Sequence, residues 1–398
     1  MLAIKKILAM IWLFIPGVLM GSGIIFLVNH FLLPPKITSQ LKKPFSRQAV
    51  LSATKSTKQV IGYLPFCNLK EVNRIPFDNL SLIYYFGLPA KSDGNFDKTD
   101  PGWTKMNSDE FKILKQKTKR LGITLLSLDQ DVIAGVLASS SRKNRLIDNT
   151  MAVMKNVGFT DLNIDIEYVG PAPEYLIDSF TKLVSDLTEK VHNQIPGGTV
   201  TVAMYADSAN KPRIYDVEKI GKIADGIVIM AYDFYRMYSI KAGPVDPLFG
   251  KEIHYYDVYS SINDFMMKSP KEKIILGVPF YGYEWPVENN QPNAFVLPNR
   301  TFGPAISSYK RTMETAKENN VSVNFDDATK SPWFSWYDKS SRSWRQVWFE
   351  NERSLGLKLD MINQLDLGGL AIWALGYDGP NSDTLWNVLS DKISPLNN

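Results

Sequence analysis

The strongest constraint on the fold is a series of short apolar runs that alternate with longer amphipathic segments. β-Branched and aromatic side chains dominate these runs, which occupy residues 59–65, 81–87, 123–129, 161–167, 199–205, 225–232, 273–280 and 368–375. Between most of them, apolar residues recur at helical spacing, as Leu176, Phe180, Leu183 and Leu187 do. Eight strands that alternate with helices predict an α/β fold, the closed parallel (β/α)8 or TIM barrel.

An open, doubly wound parallel sheet is the competing fold with the same alternation. A nucleotide-binding sheet of that kind carries a Gly-rich phosphate loop after its first strand. Here the end of the first run and the residue after it read Tyr63-Leu64-Pro65-Phe66, which contains no glycine. The sequence therefore favours the barrel.

One interval between the runs is too long for a single helix. Residues 281–367 separate the seventh run from the eighth, and they contain a helical pattern at 305–319 and apolar stretches at 321–326, 332–338 and 343–350. Stretches joined by tight turns are typical of antiparallel strands. We therefore predict a small α+β insertion after strand seven, at about residues 283–349. It should form a wall of the site, because loops after the strands build the functional face of such barrels.

The N-terminal segment has the length and composition of a membrane span. No Asp, Glu, Lys or Arg occurs between Lys6 and Lys36, and residues 7–28 are almost continuously apolar, which is long enough to cross a bilayer. A cleaved signal peptide is the alternative, although no small-x-small cleavage site closes the segment. The sequence predicts an N-terminal transmembrane helix that anchors the chain at residues 1–33, a flexible tether at 34–58 and the barrel at 59–398.

Orientation in the membrane follows from length rather than from charge. Lysines flank the apolar segment on both sides, so the Lys and Arg count alone does not fix the orientation. The short N-terminal tail and the long domain behind it favour a single-pass protein of the cell membrane, with the catalytic domain outside the cytoplasm.

Composition argues against several classes of function. The chain has 45 Lys and Arg against 41 Asp and Glu, a net charge of +4, which is too even to indicate a nucleic-acid-binding protein. Cys67 is the only cysteine and the three histidines lie at no metal-like spacing, so we predict no metal site and no cofactor. No separate binding module or repeat is evident, and we expect a monomer.

The candidate chemistry lies on the fourth run. In residues 161–167 polar and apolar side chains alternate strictly, so Asn163, Asp165 and Glu167 share one face. Two carboxylates inside a barrel are costly unless they pair or act on a ligand. Glu167 is nearest the end of the strand, and repulsion from Asp165 should raise its pKa, which suits a general acid. A solvated edge strand is the alternative that the pattern alone leaves open.

Residues 160–167 resemble the strand-four motif D-G-x-D-x-D-x-E of glycoside hydrolase family 18, the chitinase-like enzymes. The final D-x-E is intact, whereas Thr160, Asp161 and Asn163 replace the first Asp, the Gly and the middle Asp. Further similarity occurs at residues 61–65, 125–127, 230–233, 277–282 and 369–373, and extends over about 59–390. With Asn at the middle position, the motif resembles that of the branch of the family that includes spore-cortex-lytic and other cell-wall hydrolases.

The resemblance implies a retaining, substrate-assisted hydrolysis of β-1,4 bonds in N-acetylglucosamine-containing glycans, either chitin oligomers or peptidoglycan. In that mechanism Glu167 is the general acid and base. Asp165 holds the acetamido N–H of the substrate and Tyr232 holds its carbonyl. The remaining candidates for substrate binding are Asn163, Asp233, Trp373, Tyr63, Met230 and Tyr281.

Several of these residues also fit structural roles. Without the resemblance, Tyr232 and Asp233 would fit an ordinary strand end, and Trp373 would fit a barrel core. The alternative function is that of a non-catalytic, chitinase-like glycan-binding protein. Such relatives usually lack the catalytic acid, whereas Glu167 is present.

Overall fold

The computed structural model describes residues 56–251, 255–298, 303–380 and 382–396. The predicted anchor at 1–33 and most of the predicted tether at 34–58 lie outside these ranges. Within them, no helix is both long enough and apolar enough to cross a bilayer.

The described residues form fourteen strands. They are β1 (Ser56–Pro65), β2 (Leu82–Pro89), β3 (Leu121–Ser127), β4 (Asp161–Ile166), β5 (Val200–Tyr205), β6 (Gly226–Met230), β7 (Ile274–Pro279), β8 (Tyr281–Val287), β9 (Ala305–Ser308), β10 (Asn324–Asp326), β11 (Ser331–Asp338), β12 (Ser343–Trp348), β13 (Gly369–Trp373) and β14 (Ile393–Pro395). Strands β1 to β7 and β13 pair in parallel in that order, and β13 pairs again with β1. This ring of eight parallel strands confirms the predicted barrel, and each predicted run overlaps one of its strands.

Ten α-helices occur in the same ranges. They are α1 (Pro101–Thr104), α2 (Asp109–Lys117), α3 (Gln130–Leu137), α4 (Ser140–Val157), α5 (Glu174–Gln194), α6 (Val217–Ile223), α7 (Val258–Met266), α8 (Tyr309–Glu318), α9 (Glu352–Leu365) and α10 (Asp383–Lys392). Short 3-10 helices cover Phe66–Arg74, Phe77–Asn79, Lys105–Asn107 and Lys271–Lys273.

Local sequence explains where the helices begin and end. Helix α4 begins after Ser139, whose side chain accepts a hydrogen bond from the backbone N–H of Arg142, and it ends at Gly158 with a φ of 87°. Only glycine adopts that left-handed conformation without strain, so Gly158 stops the helix and turns the chain into β4. Helix α5 buries Leu176, Phe180 and other residues of one face against the barrel.

The barrel interior combines an apolar layer with a polar chain of hydrogen bonds. Ile61, Tyr84, Val228 and Ile275 belong to one buried cluster inside the ring of strands. Tyr84 is fully buried and its hydroxyl accepts a hydrogen bond from Thr201 Oγ1 at 3.0 Å. The barrel interior is therefore filled with side chains, and a cleft opens towards the carboxyl ends of the strands.

A five-stranded antiparallel sheet lies between β7 and β13 in the chain. Its order is β10-β11-β12-β8-β9, with helix α8 between β9 and β10. Glu284 on β8 and Arg345 on β12 form a buried ion pair, with Nε and Oε1 2.8 Å apart. Because the sheet leaves the barrel directly after β7, it stands beside the functional face.

A buried charge cluster joins this sheet to the barrel helices. The ammonium group of Lys358 on α9 lies 2.5 Å from Glu350, just after β12, and 2.7 Å from Asp246 in the segment after β6. All three side chains are buried. Burial, and secondarily the charge of Glu350, raise the pKa of the Asp246 carboxyl well above its usual range.

Candidate active site

Asp161 is the first residue of β4 and the first side chain of its polar face, at the amino-terminal end of the barrel. Its carboxylate accepts hydrogen bonds from Arg120 Nε at 3.1 Å and from the Thr199 backbone N–H at 3.1 Å. Asp161 is fully buried and lies far from the end of the strand where ligands bind. This carboxylate therefore closes the bottom of the barrel.

Asn163 lies one step above Asp161 and is also fully buried. Its amide nitrogen donates to Thr201 Oγ1 at 3.0 Å, which continues the hydrogen-bond chain to Tyr84. It is not among the residues that line the cleft. The structure thus places Asn163 beneath the floor of the cleft, where it supports the barrel interior.

Asp165 and Glu167 reach the cleft itself. Both line a cavity of about 460 Å³ at the carboxyl ends of the strands. Asp165 is only 5% exposed, whereas Glu167, the first residue after β4, is partly exposed. The alternation on β4 therefore places one carboxyl in the floor of the cleft and the next at the level of the opening.

Six of the nine sequence-predicted site residues join these two carboxyls around the cleft. They are Tyr63, Met230, Tyr232, Asp233, Tyr281 and Trp373. Residues that the sequence did not single out complete the lining, namely Phe86, Leu128, Val169, Ala203, Tyr205, Val228 and Arg236. The order of the barrel strands thus brings residues from seven of the eight predicted runs to one cavity.

Two buried polar atoms of the floor have no hydrogen-bond partner in the described structure. They are Oδ1 of Asp165 and the hydroxyl of Tyr63. A buried polar group without a partner costs free energy that a bound ligand can recover. The floor of the cleft is therefore prepared for a ligand that offers hydrogen-bonding groups.

The two carboxyls of β4 prefer the protonated form more than ordinary carboxyls do. Burial, and then the charge of Glu167, raise the pKa of Asp165 well above its usual range. Burial is also the main reason why the pKa of Glu167 is raised, and the charge of Asp233 adds to the effect. The predicted direction for Glu167 is confirmed, but its principal cause is loss of water rather than the Asp165 charge.

Tyr205 at the end of β5 forms a hydrogen bond with Glu167, which lowers the pKa of that carboxyl against the effect of burial. The guanidinium of Arg213 lies over the Tyr205 ring, 4.9 Å from its centroid, and Asp207 holds Arg213 through two contacts of 2.8 Å. Sequence analysis missed Tyr205. Its place as the last residue of the fifth run was the available signal, since residues at that end of a barrel strand face the site.

Tyr205→Phe is expected to move the alkaline limb of kcat/KM towards higher pH. A general acid must be protonated, so activity falls as pH rises through the pKa of Glu167. Removal of the Tyr205 hydroxyl removes a bond that favours the ionised carboxylate, and the pKa of Glu167 then rises further. The pH dependence of kcat/KM for a soluble acetamido oligosaccharide measures this shift. Tyr175→Phe, which changes an exposed tyrosine on α5, is the control. A limb that stays in place or moves to lower pH would contradict the assignment.

Asp233 is fixed by the first strand of the antiparallel sheet. Its carboxylate accepts hydrogen bonds from the hydroxyls of Tyr281 and Tyr283, the latter at 2.9 Å. Asp233 has a φ of 61°, a left-handed conformation that Asp adopts more readily than most residues. Strand β8 thus holds the turn that follows β6, and Tyr281 both lines the cleft and fixes Asp233.

Aromatic rings form the opposite side of the cleft. Trp373 at the end of β13 packs edge-to-face on Phe86 with centroids 4.7 Å apart, and its ring lies 5.9 Å from that of Tyr63. Tyr232 packs on Tyr281, and burial, followed by the charge of Asp165, raises its pKa well above the usual value. Tyr232 therefore stays a neutral hydroxyl that can donate, while Trp373 offers a ring face to an apolar surface.

The cleft thus combines a carboxyl of raised pKa near the opening, a second carboxyl in the floor, a neutral tyrosine and an indole ring. Such a set can transfer a proton, orient an amide-like group and hold a ring-shaped ligand. Across the described ranges, no three His, Cys, Asp or Glu side chains are grouped so as to hold a metal ion.

Comparison with known proteins agrees with the geometry. The sequence profile described as "Glycosyl hydrolases family 18" matches residues 53–378. The cortical fragment-lytic enzyme of Bacillus subtilis (strain 168) is 24% identical over 335 residues, which cover 82% of this chain and 71% of that protein.

Solved structures with the same fold include two enzymes of different sources. The spore cortex-lytic enzyme SleL of Bacillus megaterium QM B1551 has a TM-score of 0.71 and 20% identity, covering 87% of this chain and 76% of SleL. The Group IV chitinase of Ostrinia furnacalis in complex with allosamidin has a TM-score of 0.72 and 21% identity, covering 84% of this chain and 98% of the chitinase. Because the profile match spans most of the chain and includes the carboxyls of β4, the protein belongs to glycosyl hydrolase family 18.

Proposed function

We propose that the protein is a retaining glycosidase that cleaves β-1,4 bonds beside N-acetylglucosamine with help from the acetamido group of the substrate. The observation that carries the proposal is the pair of carboxyls on β4. Glu167 faces the cleft with a raised pKa, and Asp165 lies buried behind it with an unpartnered oxygen. A donor of one hydrogen bond, such as an acetamido N–H, satisfies that oxygen.

The steps follow from these positions. Glu167 donates its proton to the glycosidic oxygen as the bond to the anomeric carbon breaks. The acetamido oxygen of the same sugar attacks that carbon and forms an oxazolinium ion, while Asp165 accepts a hydrogen bond from the acetamido nitrogen. Glu167, now ionised, takes a proton from a water molecule whose oxygen attacks the anomeric carbon. The bond from that carbon to the acetamido oxygen breaks, the oxazolinium ring opens, and the configuration is retained overall.

The neighbouring residues of the cleft support this pathway. Burial and the charge of Asp165 keep Tyr232 a neutral donor, which would bind the acetamido carbonyl. Trp373 provides a face on which the sugar can stack its C–H groups. Chitin oligomers and peptidoglycan both carry the required 2-acetamido group, and the similarity to cortex-lytic enzymes favours a cell-envelope glycan.

Incubation with chitin oligomers and with purified peptidoglycan, followed by mass analysis of the products, tests this function. We expect fragments that end in a reducing 2-acetamido sugar. Binding without any product over a prolonged incubation would instead indicate a glycan-binding protein, the alternative function. Products of a lyase or a peptidase would exclude the proposed reaction altogether.

We also propose that residues 7–28 anchor the enzyme and that the barrel acts outside the cytoplasm. The support is the absence of charged residues between Lys6 and Lys36, in a segment long enough to span a bilayer. The expressed chain is expected to fractionate with membranes and to keep its N-terminal residues, as read by terminal sequencing. A soluble form that begins after residue 20 would show that the segment is a cleaved signal.

A further inference from the structure

Arg236 is a cation at the cleft to which the mechanism above gives no role. It lies in the segment that follows β6, three residues after Asp233, and it lines the cavity while remaining exposed to solvent. It is close enough to Glu167 to lower the pKa of that carboxyl electrostatically. Its guanidinium therefore lies near the bond that would be cleaved.

Backbone groups hold Arg236 in place. Its Nε donates to the backbone oxygen of Asp233 at 3.0 Å, and its backbone N–H donates to Ser239 Oγ at 2.9 Å. Its backbone oxygen accepts a hydrogen bond from Trp285 Nε1 at 3.1 Å. One edge of the guanidinium is thus oriented by the main chain, which pre-organises the remaining N–H groups.

The nearby carboxylates are engaged elsewhere. Asp233 receives the hydroxyls of Tyr281 and Tyr283, and Glu167 bonds to Tyr205. In the part of the chain that the structure describes, no carboxylate lies within ion-pair distance of the Arg236 guanidinium. A fixed guanidinium of this kind is the preferred partner of a carboxylate, which it can bind through two parallel hydrogen bonds.

The charges of the lining show why this matters for the substrate. Besides the guanidinium of Arg236, the lining of the cleft contains the carboxyl groups of Asp165, Glu167 and Asp233. Among the described residues of the lining, Arg236 is the Lys or Arg side chain with which an anionic glycan could pair, whereas a neutral glycan requires no cation. The presence of Arg236 in the lining therefore favours an anionic acetamido glycan over a neutral one.

We propose that Arg236 binds a carboxylate carried by a sugar next to the scissile bond, so that the preferred substrate is an acidic acetamido glycan. A 3-O-lactyl ether on a 2-acetamido sugar is the simplest group of this chemistry. The inference rests on the proposed glycosidase function and names the substrate class of the same site.

Two otherwise identical oligosaccharides test it, one with the lactyl carboxylate and one with the matching neutral carboxamide. The selectivity is the ratio of kcat/KM for the carboxylate to kcat/KM for the carboxamide. We expect a selectivity of about 10- to 100-fold for the wild type, the range for a charge-assisted hydrogen bond, and a value near one for Arg236→Gln. Arg236→Lys should keep part of the selectivity, because it keeps the positive charge but cannot form two parallel hydrogen bonds to a carboxylate.

Lys241→Gln is the matched control. It removes the same charge from the same segment, but Lys241 packs over the Phe295 ring at 4.6 Å and does not line the cleft. Equal selectivity in the wild type and Arg236→Gln would overturn the inference, as would an equal loss in Lys241→Gln. If both glycans are cut at the same rate, the inference fails while the proposed function stands.

Two further measurements keep these outcomes distinct. If neither glycan is cut, the proposed function fails, and calorimetric affinities of the wild type and Arg236→Gln for the two glycans still decide whether Arg236 binds a carboxylate. A purely electrostatic role on Glu167 would shift the pH profile equally for both substrates and leave the ratio unchanged. Equal affinities, or an unchanged ratio, would refute the inference.

Discussion

Glu167→Gln is expected to reduce hydrolysis by about 10²- to 10⁴-fold, the usual contribution of general acid–base catalysis, while the protein still folds and binds glycan. Gln has nearly the same shape as Glu but carries no transferable proton. Burial already disfavours the charged form of Glu167, so a neutral side chain introduces no new desolvation cost. The variant should therefore unfold at the same temperature as the wild type or at a higher one.

Initial rates on an acetamido oligosaccharide and calorimetric binding of the same compound measure the two effects separately. Glu174→Gln, at the exposed start of α5, is the control for loss of one carboxylate from the same region. Turnover of Glu167→Gln close to that of the wild type would remove Glu167 from the role of acid. Loss of binding together with activity would point to a structural role for this carboxyl.

Glycans without the 2-acetamido group are expected to resist cleavage completely. When the nucleophile belongs to the substrate, attack is intramolecular, and effective molarities of about 10⁵–10⁸ M disappear with the group. Fully de-acetylated oligomers should therefore give no product under conditions that consume the acetylated ones. A thiazoline analogue of the cyclic intermediate should inhibit, and NMR of fresh product should show the β-anomer first.

The geometry of β4 explains why the nucleophile is expected to come from the sugar. Asp165 lies on β4 and Glu167 directly follows that strand, two residues later and on the same face, roughly 7 Å along the chain. A carboxylate nucleophile needs to approach the sugar from the side opposite the acid, with the two carboxyls about 5 Å apart. Asp233, the other acid of the lining, is held by two tyrosines. Cleavage of de-acetylated glycans, or a glycosyl ester trapped on Asp165 or Asp233, would disprove this mechanism.

Much of the barrel could be predicted from the sequence because its strands are buried and separated by amphipathic helices. A strand enclosed on both faces has a short apolar run, and the eight runs stand out against helical periodicity. The antiparallel sheet was harder to predict. Strands β8 and β9 were missed, since β8 follows β7 after only Phe280, and Ala305–Ser308 merges into the pattern of helix α8.

The predicted site is accurate for side chains at the carboxyl ends of the barrel strands and less so deeper in the barrel or farther along the connections. Asp165 and Trp373 follow from their positions on strands, and Tyr232, two residues after β6, follows from the family motif; all three line the cleft. Asn163 shares the polar face of β4, but the structure places it below the floor of the cleft. The alternation shows which face a side chain occupies, but not how deep in the barrel it lies. Arg236 lies in an irregular segment whose course depends on contacts with β8, and no periodicity indicates it.

The alternation of β8 has a consequence for how such a cleft can change. Tyr281, Tyr283 and Trp285 project from one face of this strand, and all three donate hydrogen bonds to the segment after β6. The outer strands β10 and β11 make no such bonds, within the ranges described, to Asp233 or Arg236. Strands β10 and β11 can therefore be lengthened, shortened or exchanged to suit glycans of different bulk, while β8 keeps the segment after β6 in position. Replacing the whole sheet would remove the hydrogen bonds that β8 makes to the segment after β6. Replacing only β10 and β11 would keep them.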